Sequence, residues 1–422
     1  MSQLNTAKND VSPDQIYFDL SVTNFQSTTT QPPVFYFNES RTIPFIYNPE
    51  DYFLSILRFT IETGSLPVAI PSIKPAPNAN IHETIYSVNL DWEDPVTLIS
   101  YTSGEVFVTF IPQDKSTYAA NPVPPTQTQN GLQDNSRGYY NYYNYSLFPA
   151  IITLAMETAF NQLKAAVIAG GAVLPTIYAP FLNWDTSSDS AVLYGDVAGY
   201  AFNYVPPFTP PAPQPPHNPI KIWWNAPLYG LFSTFPAAYY GYTSLVGKNF
   251  LFEPYNIGSA DLDTIIPANT DTGLPSAPQY RAVKVYQDCS TTASFSPITA
   301  LVFTSNTLPI QANQVSTPVV YNNGVIQLGG NNSDFANIIT DLVSDTGQYK
   351  PNVVYNPTAE YRLITLYGNR PIANIDIQVF WRAKNGSLIP YRINSGEAVT
   401  MKIAFLKKSA LKKVADSGKD LR

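Results

Sequence analysis

Thirty-eight prolines are spread along 422 residues. Proline fixes φ, donates no backbone hydrogen bond and clashes with the preceding helical turn. Inside a sheet it is confined to edges, strand ends and bulges. A chain punctuated this often forms short elements joined by extended connections. That excludes a helical bundle and disfavours a doubly wound nucleotide-binding sheet. The chain still has material for a core, because 44% of it is hydrophobic, too much for a disordered protein. Its length admits two or three domains, or one large all-β domain with insertions.

Between the prolines the chain reads as short strands. Ile16, Phe18, Leu20 and Val22 alternate with Tyr17, Asp19, Ser21 and Thr23, the period of two of a half-buried strand. Thr42–Tyr47, Phe53–Ile61, Thr84–Asp91 and Glu105–Ile111 continue the pattern with β-branched and aromatic residues. Residues 113–146 have no period, and a loop of that length marks a functional segment or an interface arm. A helix is predicted over Pro149–Ile168, with Ile152, Ala155, Met156, Ala159, Phe160 and Leu163 on one face. Gly170-Gly171 ends it. Residues 172–280 read as irregular and aromatic. They contain a polyproline-like linker over Pro206–Pro219, a strand-like run at Ile220–Trp224 and a short helix at Ala226–Pro236. Strands return at Arg281–Asp288, Ile298–Thr304 and Tyr361–Leu366. Ile375, Ile377, Val379 and Trp381 then alternate with Asp376, Gln378, Phe380 and Arg382. Asn385-Gly386 supplies a hairpin turn, and Leu388–Arg392 and Val399–Phe405 complete what reads as an antiparallel meander.

The expected fold is an all-β antiparallel sandwich of the jelly-roll or Greek-key type, with a large irregular insertion holding one or two short helices. The expected divisions are roll strands in 1–112, a Pro/Tyr-rich insertion in 113–280, roll strands in 281–406 and a basic tail in 407–422. No repeat of 20–50 residues is present.

Enzyme chemistry finds little footing. The two histidines, His82 and His217, lack a neighbouring His or Cys to complete a metal site. No glycine-rich phosphate loop occurs. Asp91-Trp92-Glu93-Asp94 and Asp261-Leu262-Asp263 are acidic but lack the spacing of a calcium loop, and read as solvated turns. The single cysteine, Cys289, has no cation or helix N-terminus beside it and is expected as a buried structural thiol. The opening residues carry no apolar signal segment. The longest apolar stretch, Ala165–Pro175, falls short of the about 20 residues needed to span a bilayer. A protein made soluble in a reducing compartment follows, with no catalytic residue, metal or cofactor. The sequons at Asn38, Asn144, Asn331 and Asn385 are then chance matches.

Two features point to association instead. Only 13% of residues are charged, against about 25% in a typical domain. Twenty-nine tyrosines, 23 phenylalanines and five tryptophans outnumber the 24 basic and 31 acidic residues. Tyrosines concentrate at Tyr139, Tyr140, Tyr142, Tyr143 and Tyr145 and at Tyr239, Tyr240 and Tyr242, with Trp223 and Trp224 between them. Rigid amphipathic rings among Asn, Ser and Gly suit a binding surface. The same rings also suit packing on the protein's own sheet, given a partner for each hydroxyl. The net charge of −7 is uneven. Lys407, Lys408, Lys412, Lys413, Lys419 and Arg422 face only Asp416 and Asp420, a tail of net +4 on a body of −11. The tail is either a frayed solubilising end or a contact for phosphate or an acidic partner.

Several stretches carry a resemblance: Leu228–Pro236, Ile298–Ser305 with Leu308-Pro309-Ile310, Tyr355–Arg362, and the strands Ile375–Trp381 and Glu397–Phe405. In texture and order these resemble the minor capsid, penton-type proteins of virophages, polinton-like viruses and related small double-stranded DNA viruses. The resemblance covers about 200 residues. It implies a viral single jelly roll with an insertion, assembled as a homopentamer at a vertex of an icosahedral capsid beside the major capsid protein. The basic tail would then face the genome or an inner partner. Ile168-Ala169-Gly170-Gly171-Ala172 is similar to sites cut by adenovirus-type maturation proteases, though a helix terminator explains the glycines more simply. Rival readings are a major capsid protein, a receptor- or glycan-binding fibre-type protein stacking sugars on Tyr139–Tyr145 or Trp223-Trp224, and a carbohydrate-active enzyme on a β-sandwich.

Overall fold

The computed structural model describes residues 13–25, 32–74, 80–112, 133, 135, 138–205, 217–242, 247–255, 263–265, 280–315, 319–322, 325–328, 334–343, 352–355, 362–384 and 386–411. The chain divides into two compact units, 1–67 with 297–422, and 68–296. The first unit begins with β1 (Gln15–Thr23), β2 (Tyr36–Ser40) and β3 (Tyr52–Glu62). The second holds β4 (Glu83–Glu93), β5 (Ser100–Thr102), β6 (Val106–Thr109), α1 (Leu147–Ala169), β7 (Phe181–Asp185), β8 (Ser190–Asp196), α2 (Val197–Tyr200), β9 (Lys221–Trp224), α3 (Ala226–Leu231), β10 (Ala238–Tyr239), β11 (Phe250–Phe252), β12 (Asp263–Ile265), β13 (Tyr280–Tyr286) and α4 (Thr292–Phe295). The first unit resumes with β14 (Ile298–Thr304), β15 (Asn313–Val315), β16 (Val319–Asn322), β17 (Val325–Leu328), β18 (Asp334–Ala336), β19 (Ile338–Leu342), β20 (Asn352–Tyr355), β21 (Ile364–Thr365), β22 (Asn374–Ala383), β23 (Leu388–Pro390) and β24 (Ala398–Lys407).

The first unit is a jelly roll. One sheet has the order β1-β24-β3-β20, with β21 also on β3; the other has β19-β14-β22-β2, with β23 on β22. All pairs are antiparallel. Setting the short β23 aside and counting β20 and β21 as one broken strand gives eight, and these eight pass between the sheets at every step except β14 to β19. The two inner faces meet in an apolar core. Phe59 of β3 and Phe303 of β14 lie 5.0 Å apart, and Phe18, Phe45 and Phe405 form a ring cluster. Alternation supplies that core: Ile375, Ile377, Val379 and Trp381 are buried from β22, and Val399, Met401, Ile403 and Phe405 from β24. The insertion occupies the connection from β3 to β14.

The second unit has its own core. A six-stranded sheet runs β10-β11-β9-β4-β5 with β6 on β4, and a four-stranded sheet runs β12-β13-β8-β7. α1 packs against β4, β6 and β7 through Ile152, Ala155, Met156, Ala159, Phe160 and Leu163. Gly171 takes φ +75° at its end, and a Cβ on Gly170 would collide with the Tyr101 hydroxyl, so both glycines have structural causes.

Several expectations are corrected. Thr42–Tyr47 forms no strand; Pro44 interrupts it and only Ile46 bridges, to Ile372. Tyr361–Leu366 contracts to the two residues of β21. The C-terminal meander does not exist as such, because β24 leaves β22 and β23 for the opposite sheet. Residues 68–112 and 281–296 belong to the second unit, so β4, β6 and β13 are not roll strands. The stretch 172–280 is more regular than expected, with the β7–β8 hairpin and β9 to β11 inside it. The proline run over 206–216, most of 113–137, Asp261, and Lys412, Lys413, Lys419 and Arg422 lie outside the described residues.

Candidate assembly surfaces

The first tyrosine cluster is turned largely inward. Tyr142 exchanges backbone hydrogen bonds with Ala69, and its hydroxyl donates to the Ile111 carbonyl at 2.9 Å. Tyr140 donates to the Ile81 carbonyl at 3.2 Å. Both rings pack on Phe110 and are buried in the second unit's core. Tyr139 is half-buried between Tyr140 and the His82 ring, whose pKa burial lowers. Tyr145 stacks on Trp184 at 5.3 Å. Tyr143 is the exposed ring of this cluster, and its hydroxyl accepts from Asn141.

The tryptophan pair is also interior. Trp224 is fully buried against Phe232, Phe235 and Phe252. Trp223 faces the other side of β9, where its Nε1 donates to Asp91 Oδ2 at 2.9 Å. The same oxygen takes Lys248 Nζ at 2.6 Å, and Tyr240 covers the indole edge-on at 4.9 Å. Asp91 is thus held in an ion pair rather than set in a cation loop. The described residues hold no group of three or more His, Cys, Asp or Glu arranged for a metal. Tyr239, Tyr240 and Tyr242 are 53%, 54% and 71% exposed. Of the rings singled out in the sequence, these three with Tyr143 are the ones open to a neighbour.

Asp91-Trp92-Glu93 is the end of strand β4 rather than a solvated turn, and the turn begins only at the buried Asp94. Asp94 holds it, accepting from Val96 N at 3.0 Å and Thr97 Oγ1 at 2.6 Å, and these bonds lower the Asp94 pKa. The turn presents Val96, Leu98 and Ile99 to solvent, with Leu98 at φ +57°. Val96, Leu98 and Ile99 directly after Asp94-Pro95 are the available signal in the sequence.

In the roll, β1 and β20 edge one sheet and β2 and β19 the other. Tyr17 on β1 and Tyr36 on β2 are exposed. The root of the basic tail folds back: Lys407 N donates to the Asp14 carbonyl, and Lys408 Nζ bonds the Glu50 carbonyl above the Phe53 ring.

Cys289 is exposed rather than buried, because the β13–α4 turn that carries it lies on the surface. Its carbonyl accepts from Thr234 Oγ1 at 2.6 Å. One thiol per chain should therefore react with a disulfide reagent in native buffer within minutes. A thiol that reacts only after denaturant would contradict this placement.

No helix among the described residues is long and apolar enough to cross a membrane. The family model of the Sputnik minor capsid protein V18/19 matches residues 16–407. The uncharacterized protein V18 of Sputnik virophage is 35% identical over 168 residues, covering 40% of this chain and 95% of its own length. The structural protein V19 of the same virophage is 26% identical over 197 residues, covering 46% of this chain and 84% of its own. A chain of the Sputnik virophage structure superposes with a TM-score of 0.72 at 27% identity, over 94% of this chain and 99% of that one. The mavirus penton protein shares the fold, with a TM-score of 0.55 at 14% identity over 93% and 99% of the two chains. A match running from β1 to the end of β24 takes in the whole roll and the whole insertion, and the chain therefore belongs to the Sputnik minor capsid protein V18/19 family, as a structural protein of the virion.

Proposed function

We propose that the protein is a vertex capsomer, five copies of which close into a ring that joins the surrounding major capsid protein. The observation that carries this reading is the fold itself: one eight-stranded roll whose third connection is expanded into a second unit. A single roll leaves four edge strands to be covered, and unpaired strand edges seek partners. The fold shared with the mavirus penton protein supports the vertex position. The low charge supports extensive burial against neighbours, since interface cores are depleted of charged side chains. Tyr17, Tyr36, Tyr143, Tyr239, Tyr240 and Tyr242 are the rings offered for it, and the tail beginning at Lys407 and Lys408 meets the genome or an inner protein.

Light scattering on purified protein, with negative-stain images of the same peak, tests the ring. The expected mass is about 233 kDa, five times the 46.6 kDa chain, with five-fold images. A trimer near 140 kDa, three times that chain, would favour a major capsid or fibre-type protein. A stable monomer at high concentration would overturn the ring.

A further inference from the structure

The chain leaves the roll for the second unit at the end of β3, and two carboxylates meet there. Glu62 is the last residue of β3, and its Oε1 accepts from Ala398 N at 3.2 Å. Glu397, the chain neighbour of Ala398, is only 8% exposed. Its Oε2 accepts from Asn394 N at 2.8 Å and its Oε1 from Asn394 Nδ2 at 3.3 Å. On its other side the carboxylate lies against Gly64, where a Cβ would run into Oε1. Glu397 thus joins the loop before β24 to the first turn of the connection. That turn is closed by Leu66 N, which donates to the Thr63 carbonyl at 2.8 Å.

Neither carboxylate is in an ion pair among the described residues. Arg392, the nearest cation in the sequence, is turned to the Pro32 carbonyl at 2.8 Å. The other described groups around Glu397 are neutral. Tyr391 donates its hydroxyl to the Glu62 carbonyl at 2.7 Å, and burial together with the two carboxylates pushes its pKa up, so it stays protonated. Asn24, just after β1, bonds backbone alone: its N donates to the Glu397 carbonyl at 3.1 Å and its Nδ2 to the Ile393 carbonyl at 2.8 Å. Ser65 Oγ is buried without a hydrogen-bond partner among the described residues. A carboxylate in such a place is penalised twice, by lost hydration and by a like charge beside it.

We propose that Glu62 and Glu397 form a proton-operated latch on the turn 63–66, closed when Glu397 holds a proton and loosened when that proton leaves. Protonation removes the like charge beside Glu62. It also gives Glu397 an O–H to donate, and the Ser65 hydroxyl is the unmet group beside it. The chain's path into the second unit is therefore firmer in mild acid than at neutral pH. Burial pushes the Glu397 pKa above its ordinary value and the charge of Glu62 adds to the rise, against the bonds from Asn394. A carboxyl raised in the folded state contributes stability that is fully present below its unfolded pKa of about 4.3 and is lost as pH rises through the folded value.

Hydrogen exchange of the full chain at about pH 4.5 and about pH 7.5, corrected for the intrinsic rate, tests the latch. The amides of Leu66, Asn394 and Glu397 are the probes, since each is bonded within it. In the wild type they should be about threefold or more better protected in acid, one titrating proton capping the change at about tenfold per pH unit. Glu397→Gln is uncharged throughout and should keep the higher protection at both pH values. Glu62→Gln leaves Glu397 free to titrate and should weaken the dependence and move it to lower pH. Wild-type protection that is equal at the two pH values, or greater at the higher one, would overturn the latch. So would a dependence that survives in Glu397→Gln. A dependence unchanged in Glu62→Gln would overturn the pair, and this variant decides the matter if Glu397→Gln does not fold.

Discussion

Alanine in place of Asp376 should destabilise the roll by about 2–4 kcal/mol, the loss of several hydrogen bonds to a buried carboxylate with a buried donor left unmet. Asp376 lies on β22 with no exposed surface. Its Oδ1 accepts from Ser305 Oγ at 2.6 Å, Thr307 N at 2.8 Å, Thr307 Oγ1 at 2.8 Å and Asn306 N at 2.9 Å. One carboxylate therefore holds the turn after β14 against the middle of the sheet. Removing it leaves the buried Ser305 hydroxyl unmet, which is costly, while Asn306 and Thr307 lie at the surface and can turn to water. Asp376→Asn keeps an Oδ1 for those donors but loses the charge and sets its Nδ2 toward Asn306 N, which Oδ2 also accepts at 3.1 Å, and should lose a smaller part of that stability.

The pH dependence has a definite sign. Burial pushes the Asp376 pKa up, but the hydrogen bonds from Ser305, Thr307 and Asn306 outweigh it and hold the value below the ordinary one. A carboxyl depressed in the folded state stabilises fully above its unfolded pKa of about 3.9, and that stability is lost as pH falls through the folded value. Urea unfolding at pH 7 and at about pH 3 should show the difference between wild type and Asp376→Asn shrinking in acid. An Asp376→Ala protein within 1 kcal/mol of wild type at pH 7 would remove the carboxylate from any structural role.

Asp376 also marks where sequence reasoning reached its limit. The alternation of Ile375, Ile377, Val379 and Trp381 identified the strand and its inner face, and placed Asp376 outward. The outer face at that point is covered by the 305–307 turn, a contact between residues about 70 positions apart. The same non-local choice decided β24: its period of two is identical whether it pairs with β22 or inserts between β1 and β3. Helix α1 was legible because its apolar face and glycine terminator are local. β8 was not, because nearly every residue of Ser190–Asp196 is buried and no alternation remains to read. Among the tyrosines composition carried no information on direction. Tyr142 and Tyr242 sit in similar Tyr-rich surroundings, but Tyr142 finds the Ile111 carbonyl for its hydroxyl inside the core, and Tyr242 stands at an open sheet edge.

Alanine in place of Trp224 should destabilise the second unit while leaving the stability of the roll unchanged. Trp224 is the largest fully buried side chain in the molecule among the described residues, and it sits against Phe232, Phe235 and Phe252. Emptying a site of that size costs about 3–5 kcal/mol. Its Nε1 has no hydrogen-bond acceptor among the described residues, so Trp224→Phe loses volume but no hydrogen bond, and should cost less than half as much. Because the two units have separate cores, the loss should stay local, as it does between cooperative folding units. Hydrogen exchange of the full chain reads this directly. Amides of β4, β9 and α1 should lose protection by about a hundredfold or more, the exchange equivalent of that free energy. Amides of β1, β3, β22 and β24 should keep theirs. Equal loss in both sets would mean that the insertion and the roll unfold as one cooperative body. Selective loss would instead give a chain whose roll is intact and whose second unit alone is loosened, the variant needed to ask which unit drives assembly.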